Sequence, residues 1–246
     1  MFRKNERGAD QVKVYLLEGI MKRLSVFAML FFLVIGFSTI SRAEGYLPLQ
    51  GSVGVGVRPF GIFPKSDELR GEDLDFENGV GAEINVTYRF LKYLALEGAV
   101  GYTEFDIKNE TLAVDWARME VLPISLTLQF RWISKKPEEL KWIVPYASIG
   151  GGYYLLDLEE KSGLINFWLS RGVAIDLEID DTFFLHTGGG IEIFLTQHIT
   201  LNFDARYTWA EADIDETRST GLTSQKLGGT INFNSGYIGG GFKFFF

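Results

Sequence analysis

The stretch that decides the fold is GVGAEINVTYRF, residues 79–90. Every second residue is apolar, and the residues between them are small, polar or charged. The apolar set is Val80, Ala82, Ile84, Val86, Tyr88 and Phe90. Because successive side chains of a β-strand point to opposite faces, the pattern predicts a strand with one apolar face and one polar face.

The same alternation recurs along the chain and predicts eight strands. They are 49–60, 79–90, 94–105, 117–133, 143–158, 183–195, 199–212 and 233–246. Three tight turns (91–93, 134–142 and 196–198) alternate with four long polar loops (61–78, 106–116, 159–182 and 213–232). An even number of strands joined by alternating short and long connections is typical of an outer-membrane β-barrel, whose short turns are periplasmic.

A soluble β-sandwich is the alternative, since its strands also alternate, with the apolar face turned into a core. The predicted strands have 12 residues or more, whereas strands of soluble proteins average ~5–6 and about 9–11 residues cross a bilayer. Aromatic residues such as Tyr93, Trp132 and Trp142 gather at strand ends, as they do at membrane interfaces. We therefore predict an all-β fold, an eight-stranded antiparallel up-and-down transmembrane β-barrel.

The N-terminal segment has the three-part layout of a secretory signal peptide. A basic start at Met21, Lys22 and Arg23 precedes an apolar run over residues 25–40, and a small-x-small site allows cleavage after Ala43. A transmembrane helix is the alternative, but it needs about 20 apolar residues. We predict a signal peptide with an upstream extension over residues 1–43, and a barrel domain over 44–246 in the bacterial outer membrane.

Composition excludes several classes of protein. The 246 residues contain no cysteine, which excludes disulfide scaffolds, thiolate metal sites and thiol nucleophiles. The net charge of −8 is opposite to that of the usual nucleic-acid binder, so we expect no nucleic-acid partner. Histidines and carboxylates show no metal-ligand spacing, so we expect no metal and no cofactor.

Three segments and the C-terminus carry a resemblance to a known family. The segments are Leu122-Pro123, PYASIGGGY at 145–153, and GGGIEIFL at 188–195 running into ITLNFDARY at 199–207. With these segments the chain resembles the OmpW family of small barrels, within the broader group that includes OmpA-type domains. The terminal Phe246, preceded by alternating apolar residues, looks like the signal read by the barrel-assembly machinery. The resemblance implies passive uptake of small apolar molecules, with outer-membrane lipid, lipopolysaccharide and a small apolar ligand as partners.

Eight charged residues are predicted to face the interior, which side chains largely fill in a barrel of eight strands. The acids are Glu83, Glu97, Glu192 and Asp204, and the bases are Arg89, Arg131, Arg206 and Lys243. They form either a neutral salt-bridged plug or a polar constriction that blocks ions while a solute enters from above. The glycine runs at 150–152, 188–190 and 239–241 either leave space in the lumen or permit strand curvature.

Two further features concern the route of an apolar solute. Pro123 has no N–H to donate, so it either opens a lateral exit in the wall or merely ends regular pairing near the outer interface. The third long loop is unusually apolar and either packs across the barrel mouth or forms a funnel for ligand. Its candidate residues are Leu164, Phe167, Trp168 and Leu169.

Two other functions compete with transport. A structural or adhesive barrel would act through its loops, of which the first, 61–78, is strongly acidic. A lipid A-modifying enzyme needs a serine beside a histidine that an acid orients. His186 is followed by Thr187, and His198 lies in a predicted periplasmic turn. We therefore predict no catalytic residues and no enzymatic activity.

Overall fold

The structure, a computed structural model, describes residues 50–69, 72–109, 114–133, 142–220 and 223–246. The predicted signal peptide lies outside the described residues, as does most of the predicted turn 134–142. Among the residues that are described, no helix is both long enough and apolar enough to cross a membrane.

The described residues form twelve β-strands and one helix, α1 (Ser162–Leu169). Eight long strands form the wall of the barrel: β1 (Val53–Pro64), β4 (Gly79–Leu91), β5 (Leu94–Asn109), β6 (Val114–Arg131), β7 (Ile143–Glu160), β9 (Thr182–Phe194), β10 (Ile199–Thr220) and β12 (Ser235–Phe245). Four shorter strands lie in the long connections: β2 (Asp67–Leu69), β3 (Glu72–Phe76), β8 (Ala174–Ile179) and β11 (Thr223–Asn232).

The wall closes on itself through antiparallel pairs. Its order is β5-β4-β1-β12-β10-β9-β7-β6, and β6 pairs back with β5. The first and last wall strands meet where β1 pairs with β12, with Val57 opposite Phe242. Closure leaves no free edge in the wall, and the predicted eight-stranded antiparallel barrel is confirmed. We call the end with the short turns the lower end and the other the upper end.

The upper connections contain more regular structure than predicted. Strand β10 does not end at 212 but continues to Thr220, pairing with both β11 and β8. The reason is that buried and exposed residues keep alternating along β10 as far as Glu216. The predicted loop 61–78 contains β2 and β3, and β1 continues four residues past its predicted end to Pro64. The barrel therefore extends upward beyond the predicted strands.

An apolar band surrounds the outside of the wall between two rows of aromatic residues. Ile84 and Leu126 in this band are 61% and 57% exposed. The lower row includes Tyr93, Trp132 and Trp142, and the upper row includes Tyr102, Phe183 and Trp209. Tyr93, directly before β5, and Tyr102 of β5 are nine residues apart, which corresponds to about 23 Å at ~3.3 Å per residue and ~40° tilt. That height fits the ~25 Å apolar band of an outer-membrane barrel.

Candidate functional site

The lower half of the interior contains buried, mutually paired charges, which we call the charge layer. Its members are Glu83, Glu97, Glu192, Asp204, Arg58, Arg89, Arg131, Arg206 and Lys243. None of these residues is more than 8% exposed. The layer brings together all eight predicted interior charges and one further residue, Arg58.

Arg58 makes the layer four acids and five bases, so the predicted balance of four against four is wrong. Its Nε donates to Glu83 at 2.7 Å, and its Nη2 donates to Glu97 at 2.6 Å. The prediction missed Arg58 because the apolar residues of β1 alternate with glycine rather than with polar residues. The phase of Val53 and Val57 would have placed Arg58 inside, next to Glu83 on the paired strand β4.

Glu97 of β5 is the centre of the layer and has no exposed surface. Its carboxylate accepts hydrogen bonds from Arg58 at 2.6 Å, Arg206 at 2.9 Å, Lys243 at 2.6 Å, Gln129 at 3.0 Å and Thr87 at 3.2 Å. These donors lie on β1, β10, β12, β6 and β4. Because an ionised carboxylate has about four acceptor sites, its hydrogen-bonding capacity is used fully. One side chain thus links six of the eight wall strands.

Two other carboxylates complete the network. Glu192 accepts from Arg89 at 2.9 Å and from Arg131 at 2.8 Å, and Lys243 lies 3.5 Å from it. Asp204 accepts from Arg206 and from the hydroxyl of Tyr146. Lys243 therefore joins Glu192 to the Glu97 group. Every charge in the layer has a partner of opposite sign, as the cost of burying a charge requires.

Aromatic rings cover the charge layer on both sides. Above it, the ring of Tyr237 lies 5.2 Å from the Arg206 guanidinium and 6.0 Å from that of Arg58. Phe60 stacks on Tyr237 with the ring centroids 4.8 Å apart. Below it, the Arg89 guanidinium lies 3.6 Å from the centre of the Phe245 ring. The rings exclude water from the ion pairs, which strengthens the attraction within them.

Neighbouring side chains fill the space beside the glycine-rich strands. A Cβ atom at Gly188 would lie 3.0 Å from the side chain of Arg206, and one at Gly190 would lie 2.6 Å from the Tyr146 hydroxyl. These glycines therefore make room for members of the charge layer and their partners. They do not leave an open lumen at this level.

Above the charge layer the interior becomes apolar and closely packed. A small cleft in this apolar region is lined by Ile62, Pro64, Phe105, Val121, Tyr154, Leu156, Phe233 and Ser235. Its volume is about 10 Å³, the space of roughly one water molecule. A solute that enters this region must therefore displace side chains.

Helix α1 closes the upper end of the apolar region. Leu164 is fully buried among the core side chains, and Trp168 packs against them. Phe167 is half-buried under the Arg171 guanidinium, 3.7 Å from its ring centre, and Leu169 is 55% exposed. The apolar residues of this predicted loop thus divide between the core and the upper surface.

Pro123 lies on the inward face of β6, two residues from the cleft residue Val121. Along the pairing of β5 with β6, Val100 is opposite Ile124, and pairing resumes with Thr103 opposite Val121. The β5–β6 seam, defined as residues 101–102 and 122–123, lies between these two pairs. On its other side β6 pairs with β7 without a break, with Pro123 opposite Tyr154.

Both histidines have identifiable hydrogen-bond partners. His186 faces the interior, and its Nε2 lies 3.0 Å from the hydroxyl of Thr127. His198 lies in a lower turn, with its Nδ1 2.9 Å from the carbonyl oxygen of Phe245. Neither contact is the histidine–serine pair that the enzyme hypothesis requires.

Comparisons with known proteins agree with the architecture. The chain is 24% identical over 177 residues to the uncharacterized outer-membrane protein y4mB of Sinorhizobium fredii, covering 70% of this chain and 69% of that protein. The crystal structure of outer membrane protein OprG from Pseudomonas aeruginosa is similar, with a TM-score of 0.67 and 17% identity over 80% of this chain and 97% of OprG. The NMR structure of outer membrane protein AlkL in lipid bilayers is also similar, with a TM-score of 0.54 and 18% identity over 84% of this chain and 94% of AlkL.

These likenesses confirm the resemblance to small outer-membrane barrels. They also agree with the apolar band, which in such a barrel faces lipid. Residues 30–244 match the outer membrane protein beta-barrel domain family, and the chain therefore belongs to that family and resides in the bacterial outer membrane.

Proposed function

We propose that the protein mediates passive uptake of small apolar molecules, which enter from above and leave sideways into the bilayer. One observation carries this proposal. The apolar region of the interior ends at the charge layer, and the pairing of the wall lapses beside Pro123, two residues from the cleft. A solute in the cleft is therefore next to the interruption in the wall.

The charge layer makes the downward route unfavourable for an apolar molecule. Burying apolar surface contributes about 25 cal/mol per Å², so such a molecule is stable in the apolar region and in lipid. Passing the layer would separate buried ion pairs, and breaking one such pair costs about 3–5 kcal/mol. The sideways route avoids this cost.

The wall must open for a sideways route, and its pairing lapses both at the β5–β6 seam and beside Pro59, between the pairs Val57–Phe242 and Phe60–Gly239 of β1 and β12. We favour the β5–β6 seam because one of the two pairs that bound it contains the cleft residue Val121. Unpaired backbone groups in lipid are costly, so a barrel wall is normally paired throughout. At the seam, Pro123 has no N–H that would need a partner. Gly101, the inward-facing residue of the seam on β5, adds no side chain of its own, and the side chains of Glu83 and Pro123 lie beside it.

We also propose partners for the outer surfaces. The apolar band contacts outer-membrane lipid, and the extended upper strands contact lipopolysaccharide. Phe246 serves the barrel-assembly machinery, and its backbone N–H donates to the carbonyl of Val53 at 3.0 Å, next to the closing pair of strands. No cofactor or metal takes part in the proposed uptake.

The test is uptake of n-octane by cells that carry Pro123→Val or a control variant at matched abundance in the outer membrane. Restoring an N–H donor should pair the seam, lowering uptake while leaving thermal stability equal or higher. Pro145→Val is the control, because Pro145 lies on β7 near the lower end, opposite Ile191, and should not change uptake.

Undiminished uptake by Pro123→Val would exclude the seam as the exit. If the wild-type protein does not raise uptake above that of cells lacking it, the uptake function is wrong. The structural or adhesive function would then take its place.

A further inference from the structure

One side chain crosses the interior between the apolar region and the charge layer. Tyr154 lies on β7, and the side chains of Thr208 on β10 and Ser235 on β12 are polar neighbours of its hydroxyl. Strand β9 separates β7 from β10 in the wall, so the tyrosine reaches past a neighbouring strand. Phe184 of β9 stacks on its ring, with the centroids 4.1 Å apart and the planes at 21°. We call the Tyr154 side chain the bar, because it extends from β7 toward β10 and β12 across the interior.

The bar supplies the cleft with its polar groups. Of the residues that line the cleft, only Tyr154 and Ser235 have a hydroxyl, and the other six have apolar side chains. Ser235 is directly opposite Thr208 in the β10–β12 pairing. All three residues are at most 8% exposed. We call Tyr154, Thr208 and Ser235 the hydroxyl cluster; it is polar, uncharged and buried.

We propose that the hydroxyl cluster recognises the polar group of the solute. The favoured solute is then a small molecule with an apolar body and one uncharged hydrogen-bonding group, such as a primary alcohol. This inference rests on the proposed uptake function and specifies its substrate class. Once side chains have moved aside, the apolar body packs against the six apolar lining residues, and the polar group meets the only hydroxyls of the cleft.

The preferred class of solute follows from what happens to the buried hydroxyls when Tyr154 moves. A hydrocarbon that displaces the bar leaves buried hydroxyls without partners, which is costly. An alcohol both donates and accepts, so it can hydrogen-bond the hydroxyls from which the tyrosine has moved away. A carboxylate would bring an unpaired charge into an apolar cleft, which is far more costly.

The position of the bar connects recognition to release. Tyr154 is opposite Pro123 in the β6–β7 pairing, so it stands beside the β5–β6 seam. A solute that hydrogen-bonds to Thr208 and Ser235 takes the place of the tyrosine hydroxyl beside them. The path from the cleft to the seam then opens for that solute and stays closed in its absence.

The experiment compares uptake of 1-octanol and n-octane by cells with matched amounts of folded protein in the outer membrane. Tyr154→Phe removes the hydroxyl and keeps the ring that stacks on Phe184. Ser235→Ala removes one partner of the bar and serves as a second, independent variant. The matched control is Tyr153→Phe, because Tyr153 is half-buried, packs against Phe183 and donates to the Asp181 carbonyl at 3.4 Å.

We expect the wild type and Tyr153→Phe to favour octanol. Tyr154→Phe and Ser235→Ala should lower the octanol-to-octane ratio by about 2- to 10-fold, the effect of one neutral hydrogen bond. An equal ratio in all four proteins, with octane still taken up, would overturn the role of the hydroxyl cluster and leave the uptake function standing. If neither compound enters faster than in cells without the protein, the uptake function itself fails.

Discussion

Replacing Glu97 by glutamine tests whether the charge layer holds the barrel together. The substitution keeps the size of the side chain and removes its charge. The layer then has three acids against five bases, and its net charge rises from +1 to +2. The new amide also brings N–H donors to positions that already face donors, since Lys243 and Gln129 both donate to Glu97 Oε2.

The expected loss of stability follows from the ion pairs of Glu97. Its carboxylate lies 2.6 Å from Arg58, 2.9 Å from Arg206 and 2.6 Å from Lys243, and all of these groups are buried. Removing one partner of a buried pair costs about 3–5 kcal/mol, because a charge is left uncompensated. We therefore expect the unfolding equilibrium constant to rise roughly 150- to 5,000-fold.

The assay is denaturant unfolding of the protein in phospholipid vesicles, followed by heat-modifiable migration on a gel. Glu104→Gln is the matched control on the same strand, because Glu104 is exposed and accepts a 3.3 Å hydrogen bond from the Tyr102 hydroxyl. The free energy of unfolding of Glu104→Gln should differ from that of the wild type by no more than about 0.5 kcal/mol. Equal and small losses in both variants would show that the interior charges are hydrated and independent.

Two further predictions concern the upper end of the barrel. Leu164→Ala should destabilise the packing of α1 by about 2–5 kcal/mol, measured as faster hydrogen exchange in the helix. The control Leu169→Ala should change the exchange rate little, because Leu169 is 55% exposed. Equal exchange rates in the two variants would contradict the buried contact of Leu164. The hydrogen bond from Lys161, with further help from Arg118, lowers the pKa of Asp106. The ionised Asp106 carboxylate therefore stabilises the fold above the ordinary aspartate pKa of about 3.9, and this stabilisation is lost as the pH falls through the lowered pKa. Proteolysis near Lys161 should therefore increase only below about pH 4, and it should not vary with pH in Asp106→Asn; an increase already at neutral pH would refute the link.

The alternation of residues predicts the wall and its inward face for a physical reason. A shift of one residue along a strand would turn the charges of β4 and β5 toward lipid and the apolar residues inward. The eight predicted interior charges, among them Glu83 and Glu97, therefore lie inside as expected. The same reasoning predicts the apolar band, since Ile84 and Leu126 occupy the opposite phase.

The features that sequence reasoning missed lie where apolar and polar residues do not alternate clearly, or where the contact joins strands that are distant in sequence. Arg58 follows a run in which valine alternates with glycine, which marks the inward phase only weakly. The upper part of β10 is mostly polar on both faces, and its strand character depends on pairing with β8 and β11, which are distant in sequence. The contact of Tyr154 with Thr208 and Ser235 joins three separate strands, and no local pattern signals it.

The position of the charge layer allows the wall to open without opening the barrel to ions. The seam at Pro123 and the bar at Tyr154 border the upper side of the layer, where Gly101 of the seam is opposite Glu83. The Glu97 network is enclosed between the rings of Tyr237 and Phe245. An ion that crosses the barrel must separate these desolvated pairs, but an apolar solute that leaves at the seam passes only Glu83 at the upper edge of the layer and leaves the pairs of Glu97 in place. Uptake and ion leakage should therefore respond to different residues. Substitutions at Pro123 or Tyr154 should change uptake at constant conductance, and Glu97→Gln should raise conductance while the octanol-to-octane ratio stays the same.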